Sequence, residues 1–214
     1  MAQLFPKWTN KIPMVAVSSV IGGVCFLTFF LGYWFSAYNI EVGYQPIQPV
    51  DYSHKLHAGD LGIDCRYCHT GVESSAVAGV PPTERCMNCH SSVKKDSIKL
   101  KPVMESFESG MPIPWVRIHK IPDYAYFDHS AHVNVGVGCA SCHGRVDQME
   151  HVRSVEPLSM GWCLDCHRDP AKHLRPLDQI TNMEFQPTPE WLKIAKVKAT
   201  TLHPPVESCS GCHR

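Results

Sequence analysis

Cys65-Arg66-Tyr67-Cys68-His69 is the stretch that decides the fold, because its pattern, Cys-x-x-Cys-His, occurs five times in 214 residues. The other four copies begin at Cys86, Cys139, Cys163 and Cys209. Together the five copies contain ten of the eleven cysteines, and each ends in one of the thirteen histidines. Cysteines paired repeatedly at one spacing indicate a covalent or metal-binding framework.

The repeated pattern is that of covalent haem attachment. Each pair of thiols forms thioether bonds with one haem, and the histidine that follows becomes the proximal ligand of the iron. A zinc knuckle, a redox dithiol or a disulfide framework does not require a histidine directly after the second cysteine. We therefore predict five covalently bound haem c groups. The predicted thioether cysteines are Cys65, Cys68, Cys86, Cys89, Cys139, Cys142, Cys163, Cys166, Cys209 and Cys212, and the predicted proximal histidines are His69, His90, His143, His167 and His213.

The N-terminal stretch from Ile12 to Tyr38 has no charged residue and is rich in apolar side chains. A helix of this length crosses the roughly 30 Å hydrocarbon layer of a membrane. A cleaved secretory signal has a shorter apolar core, of about 7–15 residues, and residues 35–37 make a poor cleavage site. Lys7 and Lys11 precede the span, and positive residues stay in the cytoplasm. We expect a retained anchor in a bacterial inner membrane, with the haems on the periplasmic side, where covalent attachment takes place.

Two His-x-x-His pairs, His54/His57 and His129/His132, each follow an aromatic residue and precede two haem motifs. The outer domain therefore contains an internal duplication of a diheme unit. Residues three apart share one face of a helical turn, whereas the two axial ligands of an iron lie on opposite faces of the haem. The two histidines of a pair must therefore bind two different irons.

Eight histidines remain after the five proximal ones, and five distal ligands are needed. The two pairs supply four, and His119 is the predicted fifth because it leads directly into the second pair. The alternatives are Met149 and His173, with Met160 and Met183 as further methionines, and a His/Met haem would have a higher potential. His151 and His203 are expected at the surface or near haem propionates.

The predicted fold is a multihaem cytochrome c with one N-terminal transmembrane helix and an irregular domain of mostly short helices and loops wrapped around five haems. The seventeen prolines and fourteen glycines favour such a chain. A helix is expected to start at Thr188-Pro189-Glu190, and residues 102–122 are expected to form an irregular connector. The predicted divisions are a cytoplasmic N-terminus at 1–11, a transmembrane anchor at 12–38, and a periplasmic pentahaem domain at 39–214. Within that domain the diheme units are at about 46–105 and 120–180, and the fifth haem is at 181–214.

The chain resembles the pentahaem cytochrome subunit of alternative complex III over nearly its whole length. Three short segments and the closing motif carry the resemblance. The segments are residues 51–57, 114–124 and 157–162, and the closing motif is residues 209–214. The resemblance implies a place in a quinol-oxidising respiratory complex beside an iron–sulfur subunit, polytopic quinol-binding subunits and a monohaem cytochrome c. Electrons from the haems would pass to a soluble cytochrome c or a terminal oxidase. The His-x-x-His phrase also resembles that of the c3/c7-type cytochromes, which implies that His54 binds the haem at Cys65 and His129 binds the haem at Cys139.

Other functions are less compatible with the sequence. Zero net charge argues against nucleic-acid binding. The chain is not expected to be an enzyme on its own. A multihaem reductase needs a haem iron with an open position, and that haem is often marked by Lys in place of the motif histidine. All five motifs of this chain end in histidine. A stand-alone membrane-anchored quinol dehydrogenase that feeds periplasmic reductases is the alternative. Such proteins carry Met two residues after the first haem histidine, whereas this chain has His69-Thr70-Gly71.

Overall fold

A computed structural model of the chain describes residues 4–35, 41–203 and 208–213. The chain divides into two compact units, Met1–Glu41 and Val42–Arg214. The first unit is a 3-10 turn, Lys7–Lys11, that continues into helix α1, Ile12–Trp34. Pro13 lies in the first turn of α1, where its missing N–H needs no partner.

Helix α1 is long and apolar enough to cross a membrane. The stretch Lys7–Trp34 has 28 residues with a mean hydropathy of 2.2, and no residue of its apolar part is buried in the chain. At a rise of about 1.5 Å per residue, α1 is long enough for the roughly 30 Å hydrocarbon layer. Helix α1 covers residues 12–34 of the predicted anchor at 12–38, and residues 36–38 fall outside the described residues.

We expect the full chain to stay in the membrane pellet after an alkaline carbonate wash. Val20→Lys with Val24→Lys should move it to the supernatant, because each lysine costs about 2.5–3.5 kcal/mol at the centre of a span. Val20→Ile with Val24→Ile is the matched control and should stay in the pellet. A wild-type chain in the supernatant, with the N-terminal peptides missing from its digest, would show a cleaved signal instead.

The second unit consists of short helices joined by turns. Its α-helices are α2 (Cys65–Cys68), α3 (Thr83–His90), α4 (Lys101–Ser109), α5 (His129–Asn134), α6 (Ala140–His143), α7 (Met160–Arg168), α8 (Pro189–Thr201) and α9 (Cys209–Cys212). A π-helical turn covers Lys55–Asp60, and 3-10 turns cover Ile98–Leu100, Val146–Gln148, Pro170–His173 and Leu177–Gln179. In the described part of this unit, extended pairing is limited to isolated bridges between Ala125 and His213 and between Val137 and Leu174.

Each Cys-x-x-Cys-His segment lies on a short helix, with at most one of its residues just outside the helix. Asp64 caps the first, since its carboxylate accepts from the backbone N–H of Arg66 at 2.8 Å. Ser159 caps α7 by accepting from the N–H of Trp162 at 3.3 Å. Such caps satisfy N–H groups that have no partner inside the helix. They give the first and fourth motifs a defined starting point in a chain with little regular structure.

Two expectations about local structure have different outcomes. Helix α8 starts where predicted, and the Thr188 hydroxyl accepts from the Trp191 N–H at 3.1 Å. The expectation of an irregular connector from residue 102 is wrong in its first part, because α4 covers Lys101–Ser109. Pro102 stands in the first turn of α4, a position that proline favours rather than breaks.

The packed apolar interior of the second unit is small. The buried apolar residues among those described are Val50, Val103, Val133, Met149, Ala171, Leu174, Ile180 and Ala195. Ala171, Leu174 and Ala195 form one cluster, and the Trp191 indole donates to the Leu174 carbonyl at 2.9 Å beside it. A soluble domain of this length ordinarily buries a much larger core. Side-chain packing alone therefore accounts for little of the order in this unit.

Gly59 allows the first His-x-x-His turn to approach the Val146–Gln148 turn. A Cβ at Gly59 would collide with the backbone carbonyl oxygen of Asp147, and the backbone N–H of Lys55 donates to the Met149 carbonyl at 3.0 Å beside this contact. We expect Gly59→Ala to destabilise the protein by about 1–3 kcal/mol, since backbone must move to admit the methyl group. Its thermal midpoint, followed by circular dichroism, should fall by roughly 2–10 °C.

The matched control is Gly161→Ala in α7. A Cβ at Gly161 meets no atom within 4 Å. This variant should keep or slightly raise the midpoint, because alanine is the better helix former. Equal midpoints for the two variants would mean that the close approach at Gly59 is absent in solution.

Candidate functional site

The second unit contains four pairs of imidazole rings, and the two rings of each pair face each other. Each pair joins a predicted distal histidine to a predicted proximal one. The ring centroids are 6.5 Å apart for His54 and His69, 6.2 Å for His57 and His90, 6.4 Å for His129 and His143, and 6.1 Å for His132 and His167. The ring planes of the first and third pairs are nearly parallel, at 2° and 8°.

The spacing of these pairs fits two imidazoles on one haem iron. A metal–imidazole bond is about 2 Å long and the ring centre lies roughly 1 Å further back, so two rings on one iron have centroids about 6 Å apart. Rings in direct contact would be closer, and unrelated rings would vary in distance. The near-constant separation of the four pairs therefore fits a haem between the rings of each pair.

Hydrogen bonds at Nδ1 leave Nε2 free in five of the eight paired histidines and in His213. The Nδ1 atoms of six predicted ligands lie 2.7–3.1 Å from backbone carbonyl oxygens. The residues, with the carbonyl partner of each, are His57 (Ser53), His69 (Gly79), His90 (Val93), His129 (Ala76), His132 (Asp128) and His213 (Tyr124). A carbonyl only accepts, so Nδ1 carries the proton and the Nε2 lone pair is available to a metal.

Two ligand candidates depart from that pattern. The Nδ1 atom of His54 is buried without a hydrogen-bond partner among the described residues. The Nδ1 atom of His143 lies 3.4 Å from Nε2 of His119, so its partner is another imidazole. Buried polar atoms are nearly always paired, and an exception often indicates a site that another group completes.

Burial keeps the central imidazoles neutral. It lowers the pKa of His54 to about 4 and that of His143 to about 3, with smaller contributions from neighbouring histidines. Burial also lowers the pKa of His132. A protonated imidazole cannot bind a metal, so the neutral form is the one that iron ligation requires.

Aromatic residues hold the His-x-x-His pairs in place. Tyr52 stacks on His57 with centroids 4.5 Å apart and meets His54 edge-on at 4.8 Å. Phe127 repeats the arrangement, at 4.4 Å from His132 and 4.8 Å from His129. The sequence repeat is therefore also a repeat in the structure, with the same ring on the same side of each pair.

The first and second haem motifs contact each other through Tyr67. The Asn88 amide donates to the Tyr67 hydroxyl at 3.0 Å. The Arg85 guanidinium lies over the Tyr67 ring, 5.0 Å from its centroid. Tyr67 lies between the two cysteines of the first motif. Arg85 directly precedes the second motif, and Asn88 lies between its two cysteines. These contacts join the two attachment segments of the first diheme unit.

The first and third motifs meet at residues 180–181. The Thr181 hydroxyl donates to the Asp64 carboxylate at 2.9 Å, and the Cys139 N–H donates to the Ile180 carbonyl at 3.1 Å. The side chains of Cys65 and Cys139 lie next to each other. The two diheme units are therefore joined through their first motifs.

The fifth motif lies beside the second His-x-x-His pair. The Tyr126 N–H donates to the Cys212 carbonyl at 2.7 Å, and the next residue, Phe127, stacks on His132. The His213 ring lies near that of Tyr124, with centroids 5.8 Å apart. His132 faces His167, the histidine of the fourth motif. The C-terminal motif therefore lies next to the fourth motif.

The remaining predicted ligands lie in varied positions. His119 contacts His143 rather than forming a pair at the spacing of the other four, with centroids 4.4 Å apart. Met149 is buried, and burial also lowers the pKa of His173. The His151 side chain is 63% exposed and lies 3.5 Å from the Asp51 carboxylate. Residues 204–207, which precede the fifth motif, fall outside the described residues.

Sequence reasoning missed the residues that join the motifs. Asp64 directly before Cys65 is a helix-cap signal that was available in the sequence. Its bond to Thr181 was not, because the two residues are 117 positions apart. The carbonyl partners of the histidines have no sequence signal at all, since every residue carries a carbonyl.

The chain is similar to the multiheme cytochrome c subunit of a menaquinone reductase from Nitratidesulfovibrio vulgaris, at 36% identity over 124 residues. The match covers 58% of this chain and 56% of that relative, so the chain spans just over half of the relative's length. No family model matches the chain. The likeness agrees with the prediction of a multihaem cytochrome c that transfers electrons as a subunit, rather than an enzyme on its own.

Proposed function

We propose that this chain carries electrons through five covalently bound c-type haems as a subunit of a quinol-oxidising membrane complex. The observation that supports it best is the set of four facing imidazole pairs, each of which includes the histidine of a Cys-x-x-Cys-His motif. When bound, haem iron takes up and releases one electron at a potential set by its ligands and surroundings. The ten motif cysteines would hold the haems, and the five motif histidines would be their proximal ligands.

The distal ligands in this proposal are His54, His57, His129 and His132 for four of the haems. Two protein ligands on an iron leave no open position for a substrate, so these four centres suit electron transfer rather than catalysis. For the fifth haem the sequence predicts His119, with Met149 and His173 as alternatives, and the contact of the His119 ring with His143 favours the two alternatives.

The contacts between the motifs support one continuous path. The first and second motifs touch through Tyr67, and the first and third meet at Thr181. The third and fourth share the pair His129/His132, and the fifth lies next to His132 through Tyr126 and Phe127. We infer the order second, first, third, fourth, fifth, with the second and fifth haems at the ends.

The complex we propose is alternative complex III, with the haem domain in the periplasm and the N-terminus in the cytoplasm. Its neighbours would be an iron–sulfur subunit, polytopic quinol-binding subunits and a monohaem cytochrome c. A soluble cytochrome c or a terminal oxidase would receive the electrons. The helix that is apolar enough to span a membrane supports the anchoring part of this proposal.

A second candidate is a complex that reduces quinone rather than oxidising quinol. It is favoured by the similarity to a menaquinone reductase subunit. The two candidates share the haem domain and differ in the direction of electron flow, which depends on potentials and partners rather than on the haem motifs.

Purification in mild detergent tests the proposal. We expect an iron–sulfur protein and polytopic membrane proteins to be identified by mass spectrometry beside this chain, and a quinol analogue to reduce the haems of the complex. Rapid oxidation of reduced haems by a menaquinone analogue, with no reduction by the quinol, would favour the second candidate. Isolation of the chain alone would contradict both complexes, and quinol oxidation by that isolated chain would indicate a stand-alone dehydrogenase.

A further inference from the structure

His119 lies against the back of His143. Its Nε2 is 3.4 Å from Nδ1 of His143, and the two rings are nearly perpendicular at 85° with centroids 4.4 Å apart. His143 at the same time faces His129 across 6.4 Å with almost parallel rings. The contact with His119 is therefore on the side of the ring that holds Nδ1, away from the position of the metal.

The hydrogen bond has a defined direction if His143 binds iron through Nε2. Nδ1 of His143 then carries the proton and donates, and Nε2 of His119 accepts. The Arg117 guanidinium donates to the His119 backbone carbonyl at 3.1 Å and fixes the segment.

His143 differs in this respect from the other histidines of the site. Six predicted ligands donate Nδ1–H to a backbone carbonyl, whereas His143 has an imidazole nitrogen as its acceptor. An imidazole nitrogen is more basic than an amide carbonyl oxygen. Partners of metal-bound histidines orient the ring and raise its basicity as a ligand.

We propose that His119 is a positioning residue for His143, which orients that ring and increases its electron donation to the third haem iron. This rests on the proposed haem attachment at Cys139 and Cys142. A more strongly donating ligand stabilises the oxidised iron, so His119 lowers the potential of the third haem relative to the same site without it. The chain would thereby set one of its five potentials through a residue that does not touch the metal.

The test compares His119→Leu and His119→Gln in the full haem-loaded chain, with His151→Leu as the control. We expect His119→Leu to keep all five haems in the low-spin state and to raise one midpoint potential in a redox titration, with the other four unchanged. His119→Gln retains an acceptor and should lie between the leucine variant and the wild type. The control should match the wild type, because His151 is exposed and lies beside Asp51.

Three results would overturn the proposal. A high-spin haem in His119→Leu would make His119 an iron ligand, as the sequence predicted for the fifth haem, and five unchanged potentials would remove any role at His143. If the leucine variant does not assemble, His119→Asn replaces it, because the shorter side chain moves the acceptor away from His143 and should raise the same midpoint potential. An unchanged midpoint potential in His119→Asn also overturns the proposal. A wild-type chain with no haem would contradict the proposed function itself, which a haem stain shows separately.

Discussion

Cys139→Ala with Cys142→Ala should remove one haem of five and strongly destabilise the second unit. The third motif lies at the junction of the two diheme units, where the Cys139 N–H donates to the Ile180 carbonyl and the Cys139 side chain lies next to that of Cys65. The buried apolar cluster beside this motif packs against Val137 and is small, so a haem here would supply much of the local core. A haem lost there would leave His129 and His143 without the group that joins them.

Pyridine haemochrome spectra normalised to protein concentration measure this effect. The double variant should show four fifths of the wild-type absorbance if it folds, and strongly reduced accumulation if it does not. Cys25→Ala is the matched control, because Cys25 lies in α1 outside every motif and should leave the ratio at the wild-type value. Full absorbance in the double variant would mean that no haem is attached at this motif.

His132→Leu should convert one low-spin haem into a high-spin haem without loss of any haem. The His132 ring faces His167 at 6.1 Å, and its Nδ1 donates to the Asp128 carbonyl at 2.7 Å. Leucine has no lone pair for a metal, so the iron at His167 would keep a single protein ligand. Its potential should rise by on the order of 100 mV, because an axial ligand is a main determinant of haem potential.

Electron paramagnetic resonance of the oxidised protein and a redox titration check this expectation. The haem content should stay at the wild-type value, since the thioether bonds do not involve His132. His151→Leu removes an exposed histidine and should leave the spectrum unchanged. Five low-spin haems in His132→Leu would show that His132 is not an iron ligand.

The cysteine motifs and the His-x-x-His pairs were readable from the sequence because their chemistry fixes their spacing. Thioether attachment needs two thiols and an adjacent histidine on one short turn, and that requirement is local. Two of the four facing ring pairs place His54 opposite the histidine of the first motif and His129 opposite that of the third. Ligation itself stays a prediction at each of these histidines.

The position of His119 was not readable, because it depends on contacts between distant parts of the chain. Nothing in residues 114–124 indicates that this ring packs behind His143 rather than opposite another iron. The same holds for the link between Asp64 and Thr181, and for the approach of Gly59 to Asp147. Helix α4 was missed for a local reason, since proline at position 102 suggests a break but in fact opens the helix.

The mass of the denatured wild-type chain tests the central claim most directly. Covalent haem survives denaturation, so the chain should weigh more than its 24.0 kDa polypeptide by the mass of five haems. Digestion should place one haem on each Cys-x-x-Cys-His peptide. A mass equal to that of the polypeptide alone would contradict both the proposed fold and the proposed function.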